Sequence, residues 1–179
     1  KSGCLAFLFT GQGSQSAQMS QGLYAAYPAY RKALDSIAEA LDKHLEKPIL
    51  SIVFADEGSE SAALLNETQW TQPALFAVEC ALYRFWESLG VVPDYLLGHS
   101  IGELSAAHVA GVLSLEDAAT LVCARGRLMQ ACKPGGAMAS VQASEEEVKP
   151  LVAERAGKVD IAGLNGPSQT VISGDESAV

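Results

Sequence analysis

Two spacings of apolar residues alternate along this chain, one of strand type and one of helix type. Cys4 to Phe9 is an unbroken apolar run of strand length, read as a buried parallel strand. Helical spacing follows over Gln18 to Ala26 and Ala29 to Leu45. In the second of these, Ala33, Ile37, Ala38, Leu41 and Leu45 share a face, with Pro28 near the start. Pro48 to Asn66 reads as irregular, with short helices expected at Ile49 to Phe54 and Ser61 to Leu65. Thr71 to Leu89 is a long helix with Pro73 placed in its first turn and Gly90 just past its end. Tyr95 to Leu97 is a second short strand, and Ile101 to Ala110 a helix that Gly111 ends. Ser114-Leu-Glu-Asp then caps a helix carrying Ala119, Leu121, Val122, Arg125 and Met129, which stops before Pro134-Gly135-Gly136.

Past the double glycine the order changes. Ala137 to Gln142 alternates as a strand, Ser144-Glu-Glu-Glu opens a helix to Ala156, and Val159 to Leu164 and Thr170 to Ser173 are strands. The order β-α-β-β is the start of a ferredoxin-like arrangement. The expected fold class is α/β: an α/β-hydrolase-like core over residues 1–133 with a short parallel sheet, then an incomplete ferredoxin-like subdomain over residues 134–179. Asp175 or Ser173 reads as the cap of a helix that does not follow, and the chain opens Lys-Ser-Gly-Cys without Met. The chain is therefore expected to be a fragment, whose partner is the remaining C-terminal part of the same domain.

The segment Gly98-His-Ser-Ile-Gly102 lies between the second strand and its helix. A serine between two glycines at a strand-to-helix turn is a nucleophile elbow. Glycine removes the Cβ atoms that would keep strand and helix apart, and the first helical turn aims N–H groups at the serine. The expectation is that Ser100 is an exposed nucleophile.

Composition narrows the function classes. With 49% apolar and 18% charged residues the chain has the profile of a globular α/β enzyme rather than of a disordered or fibrous protein. A net charge of −9 argues against nucleic acid as a partner. No apolar run approaches the ~20 residues of a membrane span and no leader pattern is visible, so a cytoplasmic protein off the membrane is expected. The four cysteines, Cys4, Cys80, Cys123 and Cys132, form no C-x-x-C and read as reduced core thiols. His44, His99 and His108 are not grouped with acidic residues at ligand spacing, so no metal is expected.

A serine hydroxyl needs a base. His99 adjoins Ser100 and points away from it, a structural histidine bonded to nearby backbone. His108 lies some 12 Å along the following helix at ~1.5 Å per residue, beyond a ~3 Å hydrogen bond. His44 ends a surface helix as a solvated cap. The base is expected beyond Val179. Arg125 sits on an otherwise apolar segment and admits two readings: an arginine reaching solvent past an apolar stripe, or a planar fork for a substrate carboxylate. Arg127, two residues on, is read as surface.

Five motifs stand in order: Gly11-Gln-Gly-Ser-Gln15, Thr71-Gln-Pro-Ala-Leu-Phe76, Gly98-His-Ser-Ile-Gly-Glu103, Arg125-Gly-Arg-Leu-Met129 and Asn165-Gly-Pro-Ser-Gln-Thr-Val-Ile-Ser-Gly174. Together they closely resemble the acyltransferase domains of modular type I polyketide synthases, which are similar to the malonyl-CoA:acyl carrier protein transacylase of fatty acid synthesis. Thr10, where the stand-alone enzymes tend to have proline, leans toward the polyketide branch. The resemblance implies ping-pong transfer of an acyl group from coenzyme A to Ser100, then to the phosphopantetheine thiol of an acyl carrier protein. It implies no permanently bound cofactor, with malonyl-CoA as substrate and the ketosynthase and other synthase domains as further partners. Gln12 and Ile101 match the family's oxyanion-hole positions, and Arg125 matches its carboxylate-binding arginine. His99, Met129 and Asn165 accompany them as pocket candidates. A branched aliphatic residue after the serine, here Ile101, tends to go with malonyl rather than methylmalonyl. The competing enzyme class is a serine hydrolase or thioesterase, which shares the elbow but leaves the Gln12 loop and Arg125 without a role. A docking element without chemistry is the third reading.

Overall fold

The structure is a computed structural model and describes residues 3–179; Lys1 and Ser2, part of the expected first domain, lie outside the described residues. Two compact units divide between Ala131 and Cys132. In the first, β1 (Ala6–Phe9) is followed by α1 (Gln21–Ala26), α2 (Pro28–Asp42), α3 (Ile49–Val53), α4 (Glu60–Leu64) and α5 (Thr68–Ser88). Then come β2 (Tyr95–Gly98), α6 (Ile101–Val109) and α7 (Leu115–Gln130). The second holds β3 (Gly136–Val141), α8 (Glu145–Ala153), β4 (Val159–Gly166) and β5 (Gln169–Asp175). The chain has an α/β fold with a short parallel sheet.

That sheet is β1 against β2, with Phe7 opposite Leu96 and Phe9 opposite Gly98. Phe7 and Phe9 turn toward the helices. Phe9 is buried, and the Phe7 ring meets Tyr83 of α5 edge-on at 6.0 Å. The opposite face is open, with Leu8 72% and Tyr95 and Leu97 each 63% exposed. This corrects the expectation of a buried strand: helices cover one face of the pair, so the apolar run is buried on one side.

The core gathers around α5, which is buried almost all round, and α2 packs against it through Tyr30, Leu34, Ile37, Ala38 and Leu41. α5 begins at Thr68, three residues ahead of the expected start, so Pro73 is interior. Its missing N–H leaves the Gln69 carbonyl without the i+4 donor. α7 presses close beside it: a Cβ on Gly126 would stand 3.2 Å from Gln69 Cα and from the Thr68 carbonyl oxygen. Ser114 caps α7 by accepting the Asp117 N–H at 3.1 Å, as its spacing predicts.

In the second unit β5 lies between β3 and β4 and is antiparallel to both. α8 opens with a capping box, Ser144 and Glu147 each holding the other's backbone N–H. Ser173 falls inside β5, opposite Met138, and so is not a helix cap.

Two cysteines depart from expectation. Cys80 and Cys123 are buried, but Cys4 and Cys132 are exposed, because each lies at the margin of its unit rather than in the core. Among the described residues no helix is long and apolar enough to cross a membrane, and no group of three His, Cys, Asp or Glu is placed to hold a metal.

Candidate active site

β2 ends at Gly98 and α6 begins at Ile101, leaving His99 and Ser100 to turn the chain. Ser100 has φ 55° and ψ −115°, a sparsely populated conformation for a residue with a side chain. The turn is held by the Gly102 N–H to the His99 carbonyl at 3.0 Å and the Glu103 N–H to the Ser100 carbonyl at 3.1 Å. Glu103 also accepts the Gly98 N–H at 3.1 Å. A Cβ on Gly98 would overlap the backbone of Gly102 and Glu103, and one on Gly102 would overlap the Phe9 carbonyl. Both glycines are thus required by close approach, and Ser100 is exposed at the apex.

α7 brings Arg125 to this serine. Its Nη2 donates to Ser100 Oγ at 3.0 Å, and its Nη1 donates to Gln72 Oε1 of α5 at 2.6 Å. Gln72 is 1% exposed, and its amide nitrogen donates to the Met129 sulfur at 3.2 Å. A rigid side chain therefore fixes one arm of the guanidinium while the other reaches the nucleophile. Arg125 is only half-buried, and its guanidinium is turned inward to Gln72 and Ser100.

The loop after β1 lies beside the elbow. The His99 N–H donates to the Phe9 carbonyl at 3.0 Å, and the His99 ring packs against Gly11, where an added Cβ would come within 2.8 Å of Cδ2. Gln12 reaches α5 through its amide, Nε2 donating to Thr68 Oγ1 at 3.1 Å. Among the described residues, the backbone N–H groups of Gln12 and Ile101 have no protein acceptor. Ile101 itself is fully buried.

The other histidines are engaged elsewhere. His108 sits 3.0 Å from the Leu113 carbonyl through Nδ1 and packs on the Phe76 ring at 5.6 Å. His44 is exposed, its Nε2 3.3 Å from Thr120 Oγ1. Asn165 is on β4 of the second unit. Arg127 is exposed.

Two residues escaped sequence reading, Gln72 and Glu79. The first stands inside the quoted Thr71–Phe76 motif, but nothing in its spacing ties it to Arg125. Glu79, also on α5, accepts from Thr10 and from the buried Ser105, and burial pushes its carboxyl above the usual range, the hydrogen bonds offsetting part of that rise.

Comparison with known proteins agrees with this geometry. Residues 6–179 match the family described as "Acyl transferase domain". The chain is 54% identical over 177 residues to the spectinabilin polyketide synthase system protein NorB of Streptomyces orinoci, covering 99% of this chain and 8% of that protein. It is 56% identical over 173 residues to the mycoketide-CoA synthase of Mycobacterium tuberculosis, covering 97% and 4% respectively. Among solved structures, the acyltransferase domain from the second module of the salinomycin polyketide synthase superposes with TM-score 0.90 at 52% identity, covering 99% of this chain and 40% of that one. The malonyl-CoA:acyl carrier protein transacylase of Xanthomonas oryzae pv. oryzae gives TM-score 0.84 at 39% identity, with 99% and 56% covered. The chain thus spans a small fraction of the curated relatives and about half or less of these solved domains.

Proposed function

Because the chain belongs to the acyl transferase domain family, we propose that it carries the nucleophile of a polyketide synthase acyltransferase that moves malonyl units from malonyl-CoA to an acyl carrier protein. The observation that carries the reading is the Arg125 fork, bonded at once to Gln72 and to Ser100. In a malonyl ester the carboxylate carbon stands about 2.5 Å from the acyl carbon, two bonds of ~1.5 Å apart. A guanidinium nitrogen 3.0 Å from the serine oxygen is within reach of such a short diacid, and a longer one would overshoot it. The reading of Ile101 as favouring the unbranched unit rests on the family resemblance.

Ser100 Oγ attacks the thioester carbonyl as a base takes its proton. The oxyanion is received by the N–H groups of Gln12 and Ile101, and the coenzyme A thiol leaves. The phosphopantetheine thiol of the carrier protein then attacks the serine ester, and the hydroxyl is restored. No permanently bound cofactor enters either step. His108 and His44 are held at Leu113 and Thr120, and His99 packs on Gly11, so we assign the base to a residue outside this chain. The order β3-β5-β4 supports reading the second unit as ferredoxin-like, and the elbow supports a hydrolase-like first unit. The ketosynthase and other synthase domains are the further partners.

The test uses the full-length polypeptide containing this chain. A hydrogen-bonded charge is worth about 1.5–3 kcal/mol, or roughly 10–100-fold in kcat/KM. Arg125→Ala is expected to lose that factor for malonyl-CoA while acetyl-CoA loading, followed by intact mass on Ser100, holds or rises. An unchanged malonyl preference sinks the carboxylate role. Release of free malonate as fast without carrier protein as with it favours a hydrolase.

A further inference from the structure

Two helical turns from Gln72 on α5, Glu79 holds a carboxylate that the transfer chemistry above does not use. Among the described residues no lysine or arginine pairs with it. Its two oxygens are divided between two segments. Oε1 accepts the Thr10 N–H at 2.7 Å and the Thr10 hydroxyl at 2.8 Å, while Oε2 accepts the hydroxyl of fully buried Ser105 at 2.7 Å. Thr10 Oγ1 lies 2.7 Å from Ser14 Oγ across the same loop. Thr10 stands two residues before Gln12, and Ser105 one helical turn after Ile101.

A half-buried carboxylate is a poor source of net stability. Apolar residues of similar volume often do as well, and Phe76 and Ala77 of α5 and Ile101 and Ala106 of α6 already belong to one apolar core. What a carboxylate supplies instead is a rigid, planar spacer whose two acceptors require two donors at a fixed separation. Here those donors belong to the loop after β1 and to the helix after the elbow.

We propose that Glu79 is a positioning residue for acyl transfer: by tying Thr10 to Ser105 it sets the separation of the Gln12 and Ile101 N–H groups that receive the oxyanion. This rests on the reading of those two N–H groups as the oxyanion hole. The hole is split between two segments, and the rate depends on their mutual placement to within a fraction of an ångström. Misplacing a group by about 1 Å costs on the order of 10²-fold.

The experiment uses the full-length polypeptide with malonyl-CoA, in Glu79→Gln, Ser105→Ala and the double variant. Three quantities are read: the kcat of Ser100 acylation, the KM for malonyl-CoA, and hydrogen exchange of residues 10–14. A glutamine keeps one acceptor oxygen and turns the other into an NH2 donor, so with Oε1 on the Thr10 N–H the Ser105 hydroxyl must reverse from donating to accepting, which alters the length and direction of the tie. Expected are a kcat lower by about 30-fold in Glu79→Gln, a KM within about twofold of wild type, and faster exchange at residues 10–14. The double variant is expected to be no worse than Glu79→Gln, because both changes break the same tie. If Glu79→Gln fails to fold, Ser105→Ala carries the test with the same readouts. Faster exchange with full kcat overturns the proposal, and the Gln12 reading fails with it. A lower kcat with unchanged exchange overturns positioning in favour of direct chemistry and leaves the hole standing. No change in any readout, a rise in KM alone, or additive losses in the double variant overturn the tie and leave the hole untouched.

Discussion

Gly102→Ala asks how much of the site is shape. The added methyl would meet the Phe9 carbonyl oxygen and stand 2.6 Å from both the Phe9 carbonyl carbon and the Thr10 carbonyl oxygen. Ordinary van der Waals contact begins near 3.4 Å, so about 0.8 Å must be found at these two atoms and more at the Phe9 oxygen. None of these atoms is the end of a flexible side chain, and the relief has to come from α6 moving away from the end of β1. Overpacking of this kind costs about 1–3 kcal/mol. The same displacement carries Ser100 and the Ile101 N–H away from the Gln12 loop, and a shift near 1 Å costs roughly 10²-fold in rate. The assay is the time course of Ser100 acylation by intact mass, beside urea unfolding of the same protein. A lower unfolding midpoint with an unchanged slope is expected, together with loading slowed about 100-fold. Loading at the wild-type rate would refute the claim that close approach of strand and helix builds the site.

Two further outcomes follow from burial. Cys80 and Cys123 are buried, and burial (with Asp42 adding to it) pushes the Cys123 thiol up to about 12, while Cys80 is raised likewise by burial and by Glu79. Iodoacetamide at pH 8 should therefore modify Cys4 and Cys132 in the folded protein and all four in urea; peptide mass mapping that finds folded Cys80 or Cys123 labelled at the same rate contradicts the packing. Burial holds the Glu79 carboxyl above its ordinary 4.5, so between that value and the raised one the folded state binds more protons than the unfolded state. Stability at this group is greatest below that window and falls as pH rises through it. Subtracting Glu79→Gln unfolding curves from wild-type curves across pH should isolate this fall, and a difference that rises with pH would be the wrong sign.

The elbow was legible because glycine, serine and glycine fall between an apolar run and a helical pattern, a grammar with local causes. The caps at Ser114 and Ser144 were legible for the same reason, since the acid three residues on closes each one. Pro73 misled in that it marks a helix start by local rule, whereas here α5 begins earlier and Pro73 sits where Gly126 lets α7 press close. Cys4 and Cys132 misled because apolar neighbours were read as core. Gln72 and Glu79 were silent. Their partners lie 53 and 69 residues away, and no periodicity carries information about a bond across that distance. Arg125 stood evenly between two readings on physics alone, because its contact with Ser100 forms only where α7 meets the elbow, 25 residues away in sequence.

Gln72 and Glu79 are seven residues apart and thus on one face of α5, roughly 10 Å from each other along its axis. On the readings proposed above, a single rod accordingly supports the grip on the cargo's acid end at one point and the machinery of bond exchange at another. The two are joined at the serine, which Arg125 also reaches, so a change at the Gln72 end is felt at the nucleophile through one hydrogen bond.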